Sequence, residues 1–165
     1  HIDLWKNELQ NLPESFFDLT RLTYLHLGDN CLTMVSNSIG NLSALKTLRL
    51  DSNQITLLPD EIGNLTRIKD VFVFRNKLEQ LPKTIGNLSS LVFLQAYQNQ
   101  LTQIPESIDN LVHINNMHLS HNQITSFPTS FGNKSSLREI YLKDNPLSLH
   151  EKSRLRVVFG RKIKL

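Results

Sequence analysis

The sequence has a single cysteine and no long apolar segment. Because Cys31 has no partner, an intrachain disulfide is impossible, which excludes the disulfide-stapled class of small domains. No run of about 18 apolar residues is present, so no transmembrane helix is expected. Hydrophobic residues make up 39% and charged residues 20% of the 165 positions, which is typical of one globular domain.

The motifs that usually carry catalysis or nucleotide binding are also missing. The sequence contains no phosphate-binding loop, no G-x-G-x-x-G after a strand, no H-E-x-x-H and no G-x-S-x-G. We therefore expect neither enzymatic activity nor a cofactor.

Positive charge is concentrated near the end of the chain. The net charge is +3, and the basic residues from Lys143 onward outnumber Asp144 and Glu151. A basic tail is able to contact nucleic acid or an anionic surface. The alternative, which we favour, is a solvated helix that covers the end of the fold.

The dominant feature is an asparagine that recurs every 23 residues. A fixed period of this length indicates a solenoid of stacked structural repeats. The seven positions are Asn7, Asn30, Asn53, Asn76, Asn99, Asn122 and Asn145.

The repeats share the template L-x-x-L-x-L-x-x-N-x-L-x-x-L-P-x-x-I-G-N-L-x-x. Its L-x-L part has period two, which predicts a short strand with one apolar face. Its P-x-x-I-G-N-L part predicts a tight return, since proline fixes φ and glycine tolerates left-handed geometry. Stacked coils would bury the apolar positions in one core and pair the asparagine amides with backbone groups. Parallel strands are predicted near 24–28, 47–51, 70–74, 93–97, 116–120 and 139–143.

Among the departures from this template, four bear on packing. Ser36 stands where proline is expected, and Asp109 stands at a glycine position. Lys134 replaces a core leucine in the last full repeat. Ala96 also replaces a core leucine, and we expect either a void there or a neighbouring aromatic ring turned inward.

This pattern resembles the leucine-rich repeat family over essentially the whole chain. The L-P-x-x-I-G-N-L return resembles the short 23-residue bacterial class. The ending Asn145-Pro146-Leu147, followed by 151–159, is similar to the terminal helix of leucine-rich repeat proteins from Leptospira-type spirochaetes. The resemblance implies an α/β right-handed solenoid, or horseshoe, with a concave parallel β-sheet and a convex side of turns, 3₁₀ or short helical segments. It also implies secretion or surface display and contact with host proteins, with a cytoplasmic location as the alternative.

We expect a single domain over 1–165. A partial repeat covers 1–21, full repeats cover 22–136, and the last strand and a C-terminal cap cover 137–165. The cap helix is predicted from Leu149 to Phe159, with Phe159 buried on the last coil. Ile2, Leu4, Leu9 and Leu12 would face an end without a cap, so the native protein either continues upstream or pairs there with another chain.

The variable positions around the core leucines of each strand face the concave side. Seven of the 12 aromatic residues fall in these positions. We expect Phe72, Phe74, Phe93 and Tyr97 to form one exposed apolar patch, with at least three of the four rings substantially exposed. Such patches mark interaction sites, although cross-strand aromatic pairing that only stabilises the sheet is the alternative. The full predicted partner-binding set is Phe72, Phe74, Phe93, Tyr97, Arg49, Asp70, Gln95, His118 and Tyr141.

The predicted function is a non-catalytic module that binds a partner protein on its concave face. The alternative is a structural protein that assembles into homo-oligomers through its N-terminal end or its aromatic patch. Nucleic acid is not expected, because the basic residues do not line a continuous groove. His118, His121 and Asp144 raise the possibility of zinc, but they are better interpreted as exposed polar residues, so no metal is expected.

Overall fold

The computed structural model describes residues 1–165 and contains one eight-stranded parallel sheet. The strands follow one another in chain order across the sheet, and successive strands pair residue by residue at a spacing of 23, as with Leu25, Leu48 and Val71. The strands are β1 (Ile2–Asp3), β2 (Tyr24–His26), β3 (Thr47–Arg49), β4 (Asp70–Phe72), β5 (Phe93–Gln95), β6 (Asn116–His118), β7 (Glu139–Tyr141) and β8 (Ile163–Lys164). The six predicted strands are confirmed as β2 to β7, all of them parallel.

Short 3₁₀ turns form most of the returns between strands. They span Glu14–Asp18, Asn37–Asn41, Asp60–Asn64, Lys83–Asn87 and Glu106–Asn110. Four of them follow a proline in extended conformation, and Ser36 replaces that proline by accepting the backbone N–H of Ser38 on its hydroxyl at 3.1 Å. The leucine-rich solenoid predicted from the sequence is therefore confirmed.

Three glycines of the returns, Gly40, Gly63 and Gly86, are required for a reason other than the one predicted. None of them has a positive φ; Gly160, after the last helix, is the only glycine that does. Instead, a Cβ on Gly40 would lie 2.7 Å from the backbone oxygen of Glu61 in the next coil. Glycine is needed there because neighbouring coils approach each other closely.

Left-handed backbone occurs instead at the residue before each asparagine. Seven non-glycine residues there have φ between 53° and 55°: Lys6, Asp29, Ser52, Arg75, Gln98, His121 and Asp144. This conformation turns the chain out of the strand and directs the following asparagine side chain inward.

The asparagines form a buried column that joins each coil to the one before it. The side-chain nitrogen of Asn99 donates to the backbone oxygens of Val73 and Ala96 at 2.9 and 3.1 Å, and its side-chain oxygen accepts from the backbone nitrogen of Leu78 at 3.0 Å. The same pattern repeats at the five other buried members, which are Asn30, Asn53, Asn76, Asn122 and Asn145. Their structural role is confirmed.

The C-terminal end is covered by α1 (Leu149–Phe159), within the predicted bounds. Leu155 and Phe159 are buried, so the expected cap is present. Glu151 is also buried; it accepts the backbone N–H of Phe127 at 2.8 Å and pairs with Arg154 at 2.7 Å, while Arg154 donates to the backbone oxygen of Phe127. The acidic and basic side chains together satisfy backbone groups at the edge of the last coil. β8, which the sequence did not lead us to expect, then adds a final strand beside β7.

Two departures from the template compensate for each other. The Lys134 ammonium lies 2.9 Å from the Asp109 carboxylate and 5.2 Å from the ring centre of Phe131. A lysine at a leucine position is thereby paired with the aspartate at a glycine position one coil earlier. Ala96 is fully buried, and its aromatic neighbours Phe74 and Tyr97 stack on each other.

Candidate functional site

The face of the sheet opposite the core carries a line of stacked rings. Phe74 and Tyr97 lie 4.5 Å apart and almost parallel, with an interplanar angle of 6°. Two tilted ring contacts continue the line: Tyr97 and His118 lie 4.4 Å apart at 31°, and His118 and Tyr141 lie 4.9 Å apart at 46°. We call these four residues the stacked row; it crosses four neighbouring coils.

The stacked row slants across the strands. Phe74 and Tyr97 follow the second core residue of their strands, whereas His118 and Tyr141 lie between the two core residues and are register partners. Ser120, the residue equivalent to Tyr97 in the next coil, is buried and has no ring. The stack therefore passes from Tyr97 to His118.

The predicted four-ring patch is arranged differently from our expectation. Phe72 packs under the guanidinium of Arg49, whose central carbon lies 5.1 Å from the ring centre. Phe93 is 40% exposed, while Phe72, Phe74 and Tyr97 are half-buried. The expectation of three substantially exposed rings is wrong, because stacking and the Arg49 contact cover one face of each of the other rings.

The polar members of the predicted set are held by neighbours on the same face. Arg49 forms an ion pair with Asp51 at 3.1 Å, and Asp51 is 5% exposed. Asp70 accepts a hydrogen bond from the Thr47 hydroxyl at 3.0 Å. Gln95 is half-buried and lies in register between Phe72 and His118. These contacts fix the side chains that surround the rings.

Burial changes the titration of the stacked row. It lowers the pKa of His118 below the usual 6.5, and the nearby His121 lowers it further. Burial also raises the pKa of Tyr97 above its usual 10. At neutral pH the stacked row is therefore uncharged, and it presents an apolar strip edged by polar and charged side chains.

The histidines considered as metal ligands have different contact partners. His118 packs between Tyr97 and Tyr141, whereas the chain turns at His121, which lies 3.3 Å from Asp144. The structure contains no group of three His, Cys, Asp or Glu side chains placed to hold a metal ion.

A second ring cluster at the N-terminal end of the sheet was not in the predicted set. His1 stacks on Tyr24 at 4.1 Å, and Trp5 lies 6.3 Å from His26. His26 is buried, and its Nδ1 lies 3.2 Å from the carboxylate of Asp3. Trp5, Tyr24 and His26 occupy the same variable positions as the predicted site, so this positional signal was available in the sequence.

Asp51 was not in the predicted set, although it pairs with Arg49. The two residues are separated by one core residue, and side chains two apart on a strand share a face. This spacing could have identified the ion pair.

Comparison with known proteins gives one family and several similar structures. A leucine-rich repeat region model matches residues 29–155, and a second leucine-rich repeat model matches residues 1–55. Comparison with curated protein sequences gives no significant match. No helix has the length and apolar character that crossing a bilayer requires.

Among solved structures, a leucine-rich repeat protein of Leptospira interrogans is 32% identical, with a TM-score of 0.95. The match covers 99% of this chain and 42% of that protein. The ectodomain of the Arabidopsis thaliana receptor kinase GASSHO1/SCHENGEN3, solved with CASPARIAN STRIP INTEGRITY FACTOR 2, is 35% identical with a TM-score of 0.79, over 89% of this chain and 18% of the receptor. The Arabidopsis receptor kinase HAESA, solved with its peptide hormone and co-receptor, is 30% identical with a TM-score of 0.79. This match covers 88% of this chain and 26% of HAESA. The chain thus spans less than half the length of these relatives.

Proposed function

Because the chain belongs to the leucine-rich repeat family, we propose that it is a non-catalytic module that binds a partner protein on the exposed face of its sheet. One structural relative, the GASSHO1/SCHENGEN3 ectodomain, was solved in complex with CASPARIAN STRIP INTEGRITY FACTOR 2, and another, HAESA, in complex with a peptide hormone and a co-receptor. That precedent supports a general protein-binding role. The features of this chain that favour a particular surface are the stacked row and Phe93.

The observation that carries the proposal is the position of the rings. Rings that only stabilise a sheet are expected to be covered, but Phe93 remains 40% exposed and the members of the stacked row are only half-buried. Large, rigid aromatic side chains with a polar rim are the residues that contribute most to protein–protein affinity. Arg49, Asp70 and Gln95 supply such a rim.

We further propose that the protein is a bacterial secreted or surface protein that contacts host proteins. The likeness to the Leptospira interrogans protein over 99% of this chain at 32% identity supports the bacterial part of this proposal.

The test is affinity capture from host-cell extracts with purified wild-type protein and two matched double variants. Tyr97→Ala/His118→Ala breaks the stacked row at its centre, whereas Gln80→Ala/Gln103→Ala changes two exposed residues in the returns of neighbouring coils. We expect a captured protein that is lost with the first variant and retained with the second, followed by an affinity measurement with that purified partner. Equal capture by both variants would refute the assignment to this face.

Self-assembly through the N-terminal end or the rings is the competing function. Light scattering over a range of concentrations distinguishes it from recognition of another protein. A monomer at all concentrations supports recognition, whereas a concentration-dependent oligomer that Tyr97→Ala/His118→Ala dissociates would replace it with assembly.

A further inference from the structure

The first coil (residues 1–21) packs less closely on the second (22–44) than later coils pack on one another. The 3₁₀ turn Glu14–Asp18 makes fewer contacts with its neighbour Asn37–Asn41 than the next turns make among themselves. Phe17 explains the difference, because it occupies the template position that glycine occupies at Gly40 and Gly63. At Gly40 even a Cβ would lie 2.7 Å from the next coil, so a phenylalanine at the equivalent position holds the first coil away from the second.

Two smaller departures from the template lie where the first coil meets the second. Val35 replaces the leucine found at Leu58 and Leu81, which removes one methylene from the core, and Ser36 replaces the proline that follows it. A cavity of about 400 Å³ lies at this position, and it is lined mainly by apolar side chains, whereas clefts of similar volume between later coils are lined mainly by polar ones. Its walls are mostly apolar and include Leu12, Phe17, Leu27, Val35, Ile39 and Leu50.

The mouth of the cavity is polar and rich in hydrogen-bond acceptors. Glu14 lies there, with its carboxylate accepting the Ser38 hydroxyl at 2.7 Å, and Ser36 and Asn37 lie beside it. A carboxylate offers about four acceptor positions, so Glu14 is able to accept a further donor.

We propose that this cavity is a binding site for a compact aromatic small molecule that carries one hydrogen-bond donor. The apolar part fills the space above Leu27 and Leu50, and the donor reaches Glu14. The volume lies within the range of small-molecule sites, which are mainly apolar with a few polar groups. A protein surface is not the occupant we infer, since around the mouth Met34 is the only large apolar side chain that is strongly exposed.

This site is separate from the stacked row, so its test is independent of the proposed function. Indole is the probe, because it combines a fused ring with a single N–H donor. We expect saturable shifts of the Leu27, Val35 and Leu50 amide signals in heteronuclear NMR, with a dissociation constant of about 1 mM or tighter. Naphthalene sulfonate, an aromatic anion of similar ring size without a donor, should bind at least about tenfold more weakly.

Variants that fill the cavity give the decisive control. Val35→Phe occupies the space and Val35→Leu restores the template, whereas Thr33→Leu adds similar bulk at an exposed residue outside the cavity. We expect the Val35 variants to weaken indole binding at least about tenfold and to raise the melting temperature, while Thr33→Leu leaves binding unchanged. Absence of saturable binding, or binding that survives both Val35 variants in folded protein, would overturn the proposal.

Discussion

The asparagine column and the stacked row cross the same coils, but only the column repeats. Each buried asparagine makes the same hydrogen bonds to its own coil and to the preceding coil, as Asn76 and Asn99 show. The stacked row changes residue type and template position from coil to coil. Identical residues at a fixed period therefore mark what folding requires, and variable residues mark where selection for another role can act.

The largest effect is expected in the asparagine column. Asn99→Leu adds apolar surface but leaves the backbone nitrogen of Leu78 and the backbone oxygens of Val73 and Ala96 without their partner. Each unpaired buried group costs about 1–3 kcal/mol, so the free energy of unfolding should fall by several kcal/mol. Urea denaturation measures it, with the exposed Gln100→Leu in the same coil as control. If Asn99→Leu had the same urea midpoint as wild type, the asparagine column would be no more important for folding than the stacked row.

A smaller loss is expected at the C-terminal cap, where pairing depends on charge. Glu151→Gln weakens the contacts with Arg154 and the Phe127 N–H, at about 1–2 kcal/mol. The bond to Arg154 holds the pKa of Glu151 below its usual 4.5. Its stabilisation is therefore complete above pH 4.5 and is lost as the pH falls through the lower pKa of the folded state.

Chemical denaturation of wild type and Glu151→Gln at pH 7 and pH 3 tests whether the stabilisation by Glu151 depends on pH. The difference between their unfolding free energies should be larger at pH 7. A difference that is the same at both pH values would show that the carboxylate charge does not matter at the cap.

Removing rings from the stacked row should affect folding less than binding. Phe74→Ala/Tyr97→Ala loses one stacked pair, worth about 0.5–1.5 kcal/mol beyond the area it buries. If the rings anchor a partner, its affinity should fall by about 2 kcal/mol or more. Thermal unfolding and titration calorimetry with the captured partner separate these effects. A large drop in melting temperature with unchanged partner affinity would show that the stacked row, like the asparagine column, serves folding and not binding.

The smallest effect concerns His118. Its folded-state pKa is below 6.5, so the unfolded chain binds the proton more readily, and stability should decline as the pH falls below 6.5. His118→Gln should reduce the slope of unfolding free energy between pH 7 and 5 by a few tenths of a kcal/mol per pH unit. His113→Gln, at an exposed histidine outside the row, is the matched control. Equal slopes in all three proteins would contradict the pKa shift.

The period of 23 residues made most of the fold predictable. Strand positions, the role of Asn99 and the bounds of α1 follow from the repeat and from patterns of apolar residues. β8 was missed because Ile163 lies beyond the last template match. The requirement for Gly40, Gly63 and Gly86 was predicted for the wrong reason, because close approach between coils is a tertiary property.

The candidate site was less predictable. The sequence identifies which side chains leave the core on each strand, but ring contacts depend on side-chain rotamers and on the stagger between neighbouring positions. Phe74 therefore contacts Tyr97, which occupies the same template position in the next coil. Tyr97 in turn contacts His118, which occupies a different template position. The pairing of Lys134 with Asp109 was likewise visible only once the coils were stacked.

The direction of the asparagine bonds has a mechanical consequence. Each asparagine donates to and accepts from the preceding coil, so a coil is fastened by the side chain that follows it in sequence. Once α1 is detached, a force applied to the two ends of the chain should release the last coil first and then each earlier coil in turn. Each release would free 23 residues, or roughly 80 Å of extended chain, so the force–extension trace should show an evenly spaced saw-tooth.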